Sequence, residues 1–224
     1  MCACVFFCLW KSALKMRIAL NDGGMQLVNR LPSPDILIWT GDSMTCASIY
    51  NYILEHKLNN IFYIGGTGKI GKTVCQMLAK HNIHITIYSS NYERVSEIVS
   101  FNYAFYNSTD RLDDIHQYSN IIIGKLTKPL KITNKNIYDY TVPFIPLPNN
   151  NHVQIAKIKN TNHDLITGYY DMCFSNQQHE IYACYCGCLI NFITGRNTHE
   201  VGEVCENDVI DVWEKARKLG FVNL

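Results

Sequence analysis

The chain has 224 residues, 47% hydrophobic and 17% charged, with 20 basic against 19 acidic side chains and a formal net charge of +1. This length supports one generous domain or two small ones around a substantial core, and the composition excludes a disordered tail, a collagen-like chain and a coiled-coil rod. Nucleic acid as the main partner is disfavoured, because it demands a concentrated cationic surface.

In chain order, Cys2 to Trp10 is an apolar run, too short for the roughly 20 residues of a spanning helix. No basic residue precedes it, as a secretory leader would require. It reads as a hydrophobic start packed on the domain, with a peripheral membrane contact as the alternative. The expected organisation is an apolar segment 1–13, a nucleotide-binding core 14–148 and a cap 149–224. Ile36-Leu37-Ile38-Trp39 is a short apolar run, Gly41-Asp42-Ser43 offers a turn and a helix cap, and Met44 to Leu54 has helical spacing. Asn60 to Ile64 is a strand, Gly65 to Gly71 a glycine turn and Lys72 to His81 a helix. Ile83 to Tyr88 (strand), Tyr92 to Ser100 (helix), Tyr103 to Tyr106 (strand), Asp113 to Tyr118 (short helix) and Ile121 to Ile123 (strand) continue the alternation. The pattern predicts an α/β fold, a Rossmann-like doubly wound parallel sheet. Pro143, Pro146, Pro148 and Asn149-Asn150-Asn151 then form a turn-rich segment. Ile181 to Phe192 and Asp208 to Leu219, stopped by Gly220, make a C-terminal helical cap.

The glycine turn carries the first chemistry. Gly66, Gly68 and Gly71 satisfy G-x-G-x-x-G between a strand and a helix. Glycines there allow a tight turn, close approach of backbone to a pyrophosphate, and tight helix–strand packing. The expected cradle is Gly65, Gly66, Thr67, Gly68, Lys69, Ile70 and Gly71, with a retained fold and a repurposed pocket as the alternative. The acidic residue that usually holds the ribose is missing after the second strand. Ser89, Ser90 and Arg94 stand near its place, and hydroxyls with an arginine suit a 2′-phosphate, so NADPH fits at least as well as NADH. Arg94 as a solvated helix residue is the competing reading. Lys125, Lys128 and Lys131 follow a strand end, where ligands of open sheets bind; they would meet ligand phosphates or lie in a solvated loop. No tyrosine is followed by lysine four residues on, which disfavours ordinary short-chain dehydrogenase chemistry.

Of the ten cysteines, Cys2, Cys4 and Cys8 crowd the start, and Cys46 and Cys75 lie in apolar helical patterns. That placement points to a reducing compartment rather than a disulfide framework. Cys184, Cys186 and Cys188 alternate along a helix, which scatters them around its circumference instead of pairing them as C-x2-C. No metal site is expected.

Ala183-Cys184, Gly187, Gly195 and His199-Glu200-Val201-Gly202, then Asp211-Val212-Trp213 and Gly220-Phe221, together resemble the ending of the plant eceriferum wax-synthesis proteins, the very-long-chain aldehyde decarbonylase-like family. Gly41, Ser43, the glycine turn and Gly124-Lys125 fall where that family's C-terminal domain has similar features, and the resemblance runs from Leu14 to Leu224. It implies an NAD(P)H-dependent, reductase-like module acting on long-chain acyl thioesters or aldehydes in wax or alkane formation. It also implies a cytoplasmic location, peripheral on the endoplasmic reticulum membrane. The family's membrane domain carries histidine clusters for di-iron; here His81 and His84 are the only close histidine pair, so a membrane-bound di-iron partner is implied. The resemblance makes Cys184 the acyl-accepting thiol, with His199 lowering its pKa or moving a proton and Glu200 orienting the imidazole; a buried structural thiol at Cys184 and a helix-linking structural motif at His199 and Glu200 are the alternatives. Tyr185, Asn191 and Arg196 depart from the family's usual histidines and tryptophan. The alternative is a non-catalytic Rossmann-like module docking on a membrane-bound lipid-modifying partner.

Overall fold

A computed structural model describes residues 24–30, 37–125, 130–141, 145–161 and 180–224. The apolar run Cys2 to Trp10, Ile36, Lys128 and Pro143 lie outside the described residues. The chain forms two compact units: Ser48–Ala156, and the described residues up to Ala47 together with Lys157–Leu224. The expected core boundary was 148.

The first unit is built on a six-stranded, wholly parallel sheet of β1 (Ile61–Ile64), β2 (Ile85–Tyr88), β3 (Tyr106–Thr109), β4 (Asn120–Ile123), β5 (Asn136–Asp139) and β6 (Asn151–Gln154). Its order is β3-β2-β1-β4-β5-β6, the doubly wound arrangement that the alternating pattern predicts. Central strands of such a sheet are buried on both faces and so read as continuous apolar runs: β1 is Ile-Phe-Tyr-Ile and β4 Asn-Ile-Ile-Ile. Phe62, Ile64, Ile121, Ile123 and Ile137 share one face in a cluster with Ile115 and Ile132. On the opposite face lie Tyr63, Ile122 and Tyr138.

Helix α1 (Asp42–Glu55) belongs to the first unit from Ser48 onward, where Tyr52 meets the Tyr138 ring. Helices α2 (Lys69–Leu78) and α3 (Tyr92–Val99) cross between β1, β2 and β3. The Tyr106 hydroxyl fastens α2 by donating to the Cys75 carbonyl at 2.6 Å. The link from β3 to β4 is a 3-10 helix, Leu112–Gln117, rather than an α-helix, and its six residues make it longer than most such runs. Strand β3 starts where the expected Tyr103 to Tyr106 run ends, since Tyr103 is exposed in a turn and the edge strand itself is polar.

Two polar devices tie down the β4–β5–β6 half. At the strand starts, Asn151 Nδ2 donates to Asn136 Oδ1 at 3.2 Å, Asn136 Nδ2 to Asn120 Oδ1 at 3.4 Å, and Asn120 Nδ2 to the Asn59 carbonyl at 2.9 Å. Further along, buried His152 and Asp139 face each other with Nε2 and Oδ2 at 3.3 Å. His152 Nδ1 accepts the Leu147 N–H at 2.8 Å.

In the second unit, an antiparallel sheet has the order β8-β7-β9: β7 (Lys157–Asn160), β8 (Glu180–Tyr182) and β9 (Phe221–Asn223). Helices α4 (Ala183–Ile193) and α5 (Glu206–Lys218) complete it, near the predicted cap helices. Acidic Glu206 and Asp208 open α5 and basic Lys215, Arg217 and Lys218 close it, matching the helix dipole. Gly220, at φ +85°, follows as the stop. The expected Ile36 to Trp39 run forms no strand in its described part; Trp39 makes a single parallel bridge to Glu200. Among the described residues no helix is long and apolar enough to cross a membrane.

Candidate functional site

The glycine turn leaves the C-terminal end of β1, beside the end of β4, where the strand order reverses. Gly65 sits at φ +94°, a conformation that disfavours any side chain. Gly68 N–H closes the turn on the Gly65 carbonyl at 3.0 Å. Gly71 allows α2 to press onto the turn, for a Cβ there would overlap the Gly65 carbonyl oxygen and lie 2.7 Å from Gly66 Cα. Gly68 differs. Its φ of −77° and ψ of 164° suit any residue, and a Cβ would meet one atom within 4 Å, the Gly65 oxygen at 3.3 Å. Position 68 thus asks less for glycine than position 71, though a Cβ would still press on the Gly65 oxygen, and the exposed backbone stands beside half-buried Thr67 as Lys69 and Ile70 begin α2.

Across the gap to β4, a Cβ on Gly65 would lie 3.0 Å from the Lys125 nitrogen, and the Lys125 residue is exposed. After β2, the Ser89 hydroxyl accepts the Asn91 N–H at 3.1 Å, and Asn91 caps α3 by accepting the Arg94 N–H at 3.1 Å. Ser90 and Arg94 are exposed. Ser89 therefore shapes the turn, while Ser90 and Arg94 reach solvent from it.

In the second unit, half-exposed Cys184 occupies the first turn of α4, whereas Cys186 and Cys188 are buried. Burial raises the Cys186 thiol well above its ordinary range, with Cys184 adding to the effect. Cys188 donates to the Trp39 carbonyl at 3.2 Å. Among the described residues no three His, Cys, Asp or Glu side chains gather in a metal-binding group.

The structure gives His199 and Glu200 holding roles. His199 Nδ1 accepts the Ile38 N–H at 3.1 Å, which places the ring proton of the neutral form on Nε2. Glu200 is 7% exposed; Oε1 accepts the Ser43 N–H at 2.9 Å and Oε2 the Asn191 amide at 2.7 Å. Its backbone brackets the same segment, Glu200 N–H to Ile38 O at 2.8 Å and Thr40 N–H to Glu200 O at 3.1 Å. Glu200 thus caps α1 from far along the chain, and its carboxylate meets Ser43 and Asn191 where the sequence predicted the His199 ring. Burial lifts its pKa above the ordinary value, and Asp42 adds to the lift. The Ser43 hydrogen bonds and Arg196 oppose it. Arg196 itself bonds the His199 carbonyl at 3.4 Å and Asp208 at 3.3 Å. Gly41 touches the Cys184 carbonyl so closely that a Cβ would overlap it. Sequence reasoning noted Asn191 and Ser43 but missed their joint hold on Glu200, because no spacing rule links positions 43, 191 and 200.

No family model matches the chain. Among curated proteins, very-long-chain aldehyde decarbonylase GL1-2 of Oryza sativa subsp. indica is 23% identical over 221 residues, covering 94% of this chain. GL1-1 of the same rice is 22% identical over 220 residues, also covering 94%. The chain is homologous to these rice proteins. It spans 35% of their length, matching their C-terminal region. Among solved structures, L-tryptophan dehydrogenase from Nostoc punctiforme superposes with a TM-score of 0.39 at 12% identity, covering 80% of this chain and 52% of that one, an overlap too loose to argue from.

Proposed function

We propose that the chain is an NAD(P)H-dependent reductase-like module acting on long-chain acyl thioesters or aldehydes in wax or alkane formation. The observation that carries the reading is Gly68: a turn at the reversal point of a β3-β2-β1-β4-β5-β6 sheet keeps an exposed glycine where packing asks less for it than at Gly71. That bare backbone fits the approach of a diphosphate. A reduced nicotinamide held there supplies a hydride. Gly65 to Gly71 hold the diphosphate, Lys125 flanks it, and exposed Ser90 and Arg94 after β2, where no carboxylate stands, favour the 2′-phosphate of NADPH. The names of the rice relatives support a very-long-chain aldehyde or related acyl compound as substrate.

Cys184, the one cysteine of α4 that is not buried, accepts the acyl group as a thioester in this proposal. His199 and Glu200 hold the segment around it. A membrane-bound di-iron protein consumes the aldehyde, and the module works at the cytoplasmic face of the endoplasmic reticulum.

Titration of the purified chain with NADPH and NADH tests the reading. Saturable binding, tighter for NADPH and abolished by Gly68→Asp with unchanged thermal unfolding, is expected. No binding at millimolar cofactor overturns it in favour of a docking module. Cys184→Ser that leaves acyl reduction intact removes the covalent step alone.

A further inference from the structure

The loop between β5 and β6, within the Ser48–Ala156 unit, sets one apolar side chain on the sheet: Leu147 packs against the cluster that holds Phe62, Ile121 and Ile137. Prolines stand on both sides of it, at 146 and 148. Proline has no backbone N–H, so the Leu147 N–H is the one backbone donor these three residues own. Its acceptor is His152 Nδ1, at 2.8 Å. The His152 side chain is 4% exposed, and its Nε2 faces Asp139 Oδ2 at 3.3 Å. Asp139 is itself fixed, its Oδ1 accepting the Thr141 N–H at 2.6 Å.

Other ties of the loop are amide bonds, which do not titrate. Asn134 N–H donates to the Asn149 carbonyl at 2.9 Å and Lys135 N–H to Asn150 Oδ1 at 3.1 Å. Asn150 Nδ2 donates to the Ile132 carbonyl at 2.9 Å, and Gln154 Nε2 to the Thr141 carbonyl at 2.8 Å. The His152 tie is different in kind. Neutral imidazole has a lone pair for the Leu147 N–H, whereas imidazolium carries protons on both nitrogens. Asp139, from β5, is the charged group acting on the ring; residues 145–150 and the rest of β6 carry no titratable side chain. Burial holds the ring pKa below its ordinary value against the pull of Asp139. A ring uncovered to water, still beside Asp139, takes a proton more readily.

We propose that His152 is an acid-operated latch: protonation ends its hold on the Leu147 N–H and frees residues 145–148, while Asn149 and Asn150 keep the end of the loop in place. Leu147 then lifts from the apolar cluster and leaves part of it uncovered, and the imidazolium stays paired with Asp139. Histidine is the side chain whose ordinary titration falls between pH 5 and 8, so the latch works across that range. Acid favours release by up to about tenfold per pH unit below about 6.5, until the closed ring itself titrates. The proposal does not depend on the reductase reading.

Amide hydrogen exchange followed by NMR between pH 5 and 7.5, corrected for intrinsic rates, reads the latch at the Leu147 N–H. The Tyr140 N–H, bonded to the Ile123 carbonyl at 3.0 Å, reports opening of the whole unit. Leu147 protection is expected to hold steady down to about pH 6.5 and then to fall by up to about tenfold per unit, ahead of Tyr140. Level protection, or a fall in step with Tyr140, overturns the proposal. His152→Asn puts a neutral amide oxygen near the place of Nδ1 and is expected to abolish the acid step; a step that survives the change also overturns the latch. Ring nitrogen shifts of the wild-type chain at pH 7.5 give a check that needs no variant. A bare Nδ1 and a protonated Nε2 are expected, and the reverse tautomer refutes the assignment.

Discussion

Glu200→Gln separates the charge of the buried carboxyl from its shape. In the folded chain burial lifts the Glu200 pKa above 4.5, and Asp42 adds to this against the opposing Ser43 hydrogen bonds and Arg196. The folded state therefore holds this proton more tightly than the unfolded state. Stability falls as pH rises from 4.5 through the folded value, by about 1.4 kcal/mol for each unit separating the two. Glutamine keeps an acceptor for the Ser43 N–H and meets Asn191 once that amide flips. It gives up attraction to the α1 dipole, about 0.3–1 kcal/mol and up to about 2 when buried. The stability of Glu200→Gln relative to wild type should thus improve as pH climbs above 4.5 and then level off. Glu200→Ala strands two buried donors at about 1–3 kcal/mol each, and at about 2–4 °C per kcal/mol its Tm should drop by at least about 4 °C. Thermal and urea unfolding by circular dichroism between pH 4.5 and 8.5 measures all three proteins. A glutamine variant that steadily loses ground to wild type as pH rises would refute the reasoning, since the ionised carboxylate would then be a net stabiliser.

Gly71→Ala should cost about 1–3 kcal/mol through overpacking against the Gly65 carbonyl, whereas Gly68→Ala, whose Cβ meets the same oxygen at 3.3 Å, should cost less; denaturant titration ranks the pair, and equal losses would contradict the contrast drawn between them. Burial pushes the His152 pKa below 6.5, against the pull of Asp139. The contribution of neutral His152 is full above pH 6.5 and is lost as pH falls toward the folded value, because the unfolded chain takes up the proton first. A Tm that declines below pH 6.5 in wild type but less steeply in His152→Gln is expected, and parallel curves would exclude the linkage.

Most of the parallel sheet was legible because β1, β2 and β4 are buried on both faces and announce themselves as Ile- and Tyr-rich runs. Strands β5 and β6 were not, since they flank a proline-rich loop that reads as turn and β6 is the largely polar Asn-His-Val-Gln. The glycine turn was legible in full, with Gly68 and Gly71 parting roles only when their Cβ positions could be compared. The chemistry assigned to His199 and Glu200 came from a resemblance, and the structure shows what local patterns cannot: both residues reach some 157 to 161 positions back, to Ser43 and Ile38. The pairing of His152 with Asp139 carries no linear signature, because it depends on β5 and β6 lying side by side.

The amide chain from Asn151 through Asn136 to Asn120 anchors three neighbouring strands at their blunt ends. Alignment there is set before each strand reaches its far end, so the loops departing after Ile123 and Asp139 are free to lengthen or change composition without making the strands slip.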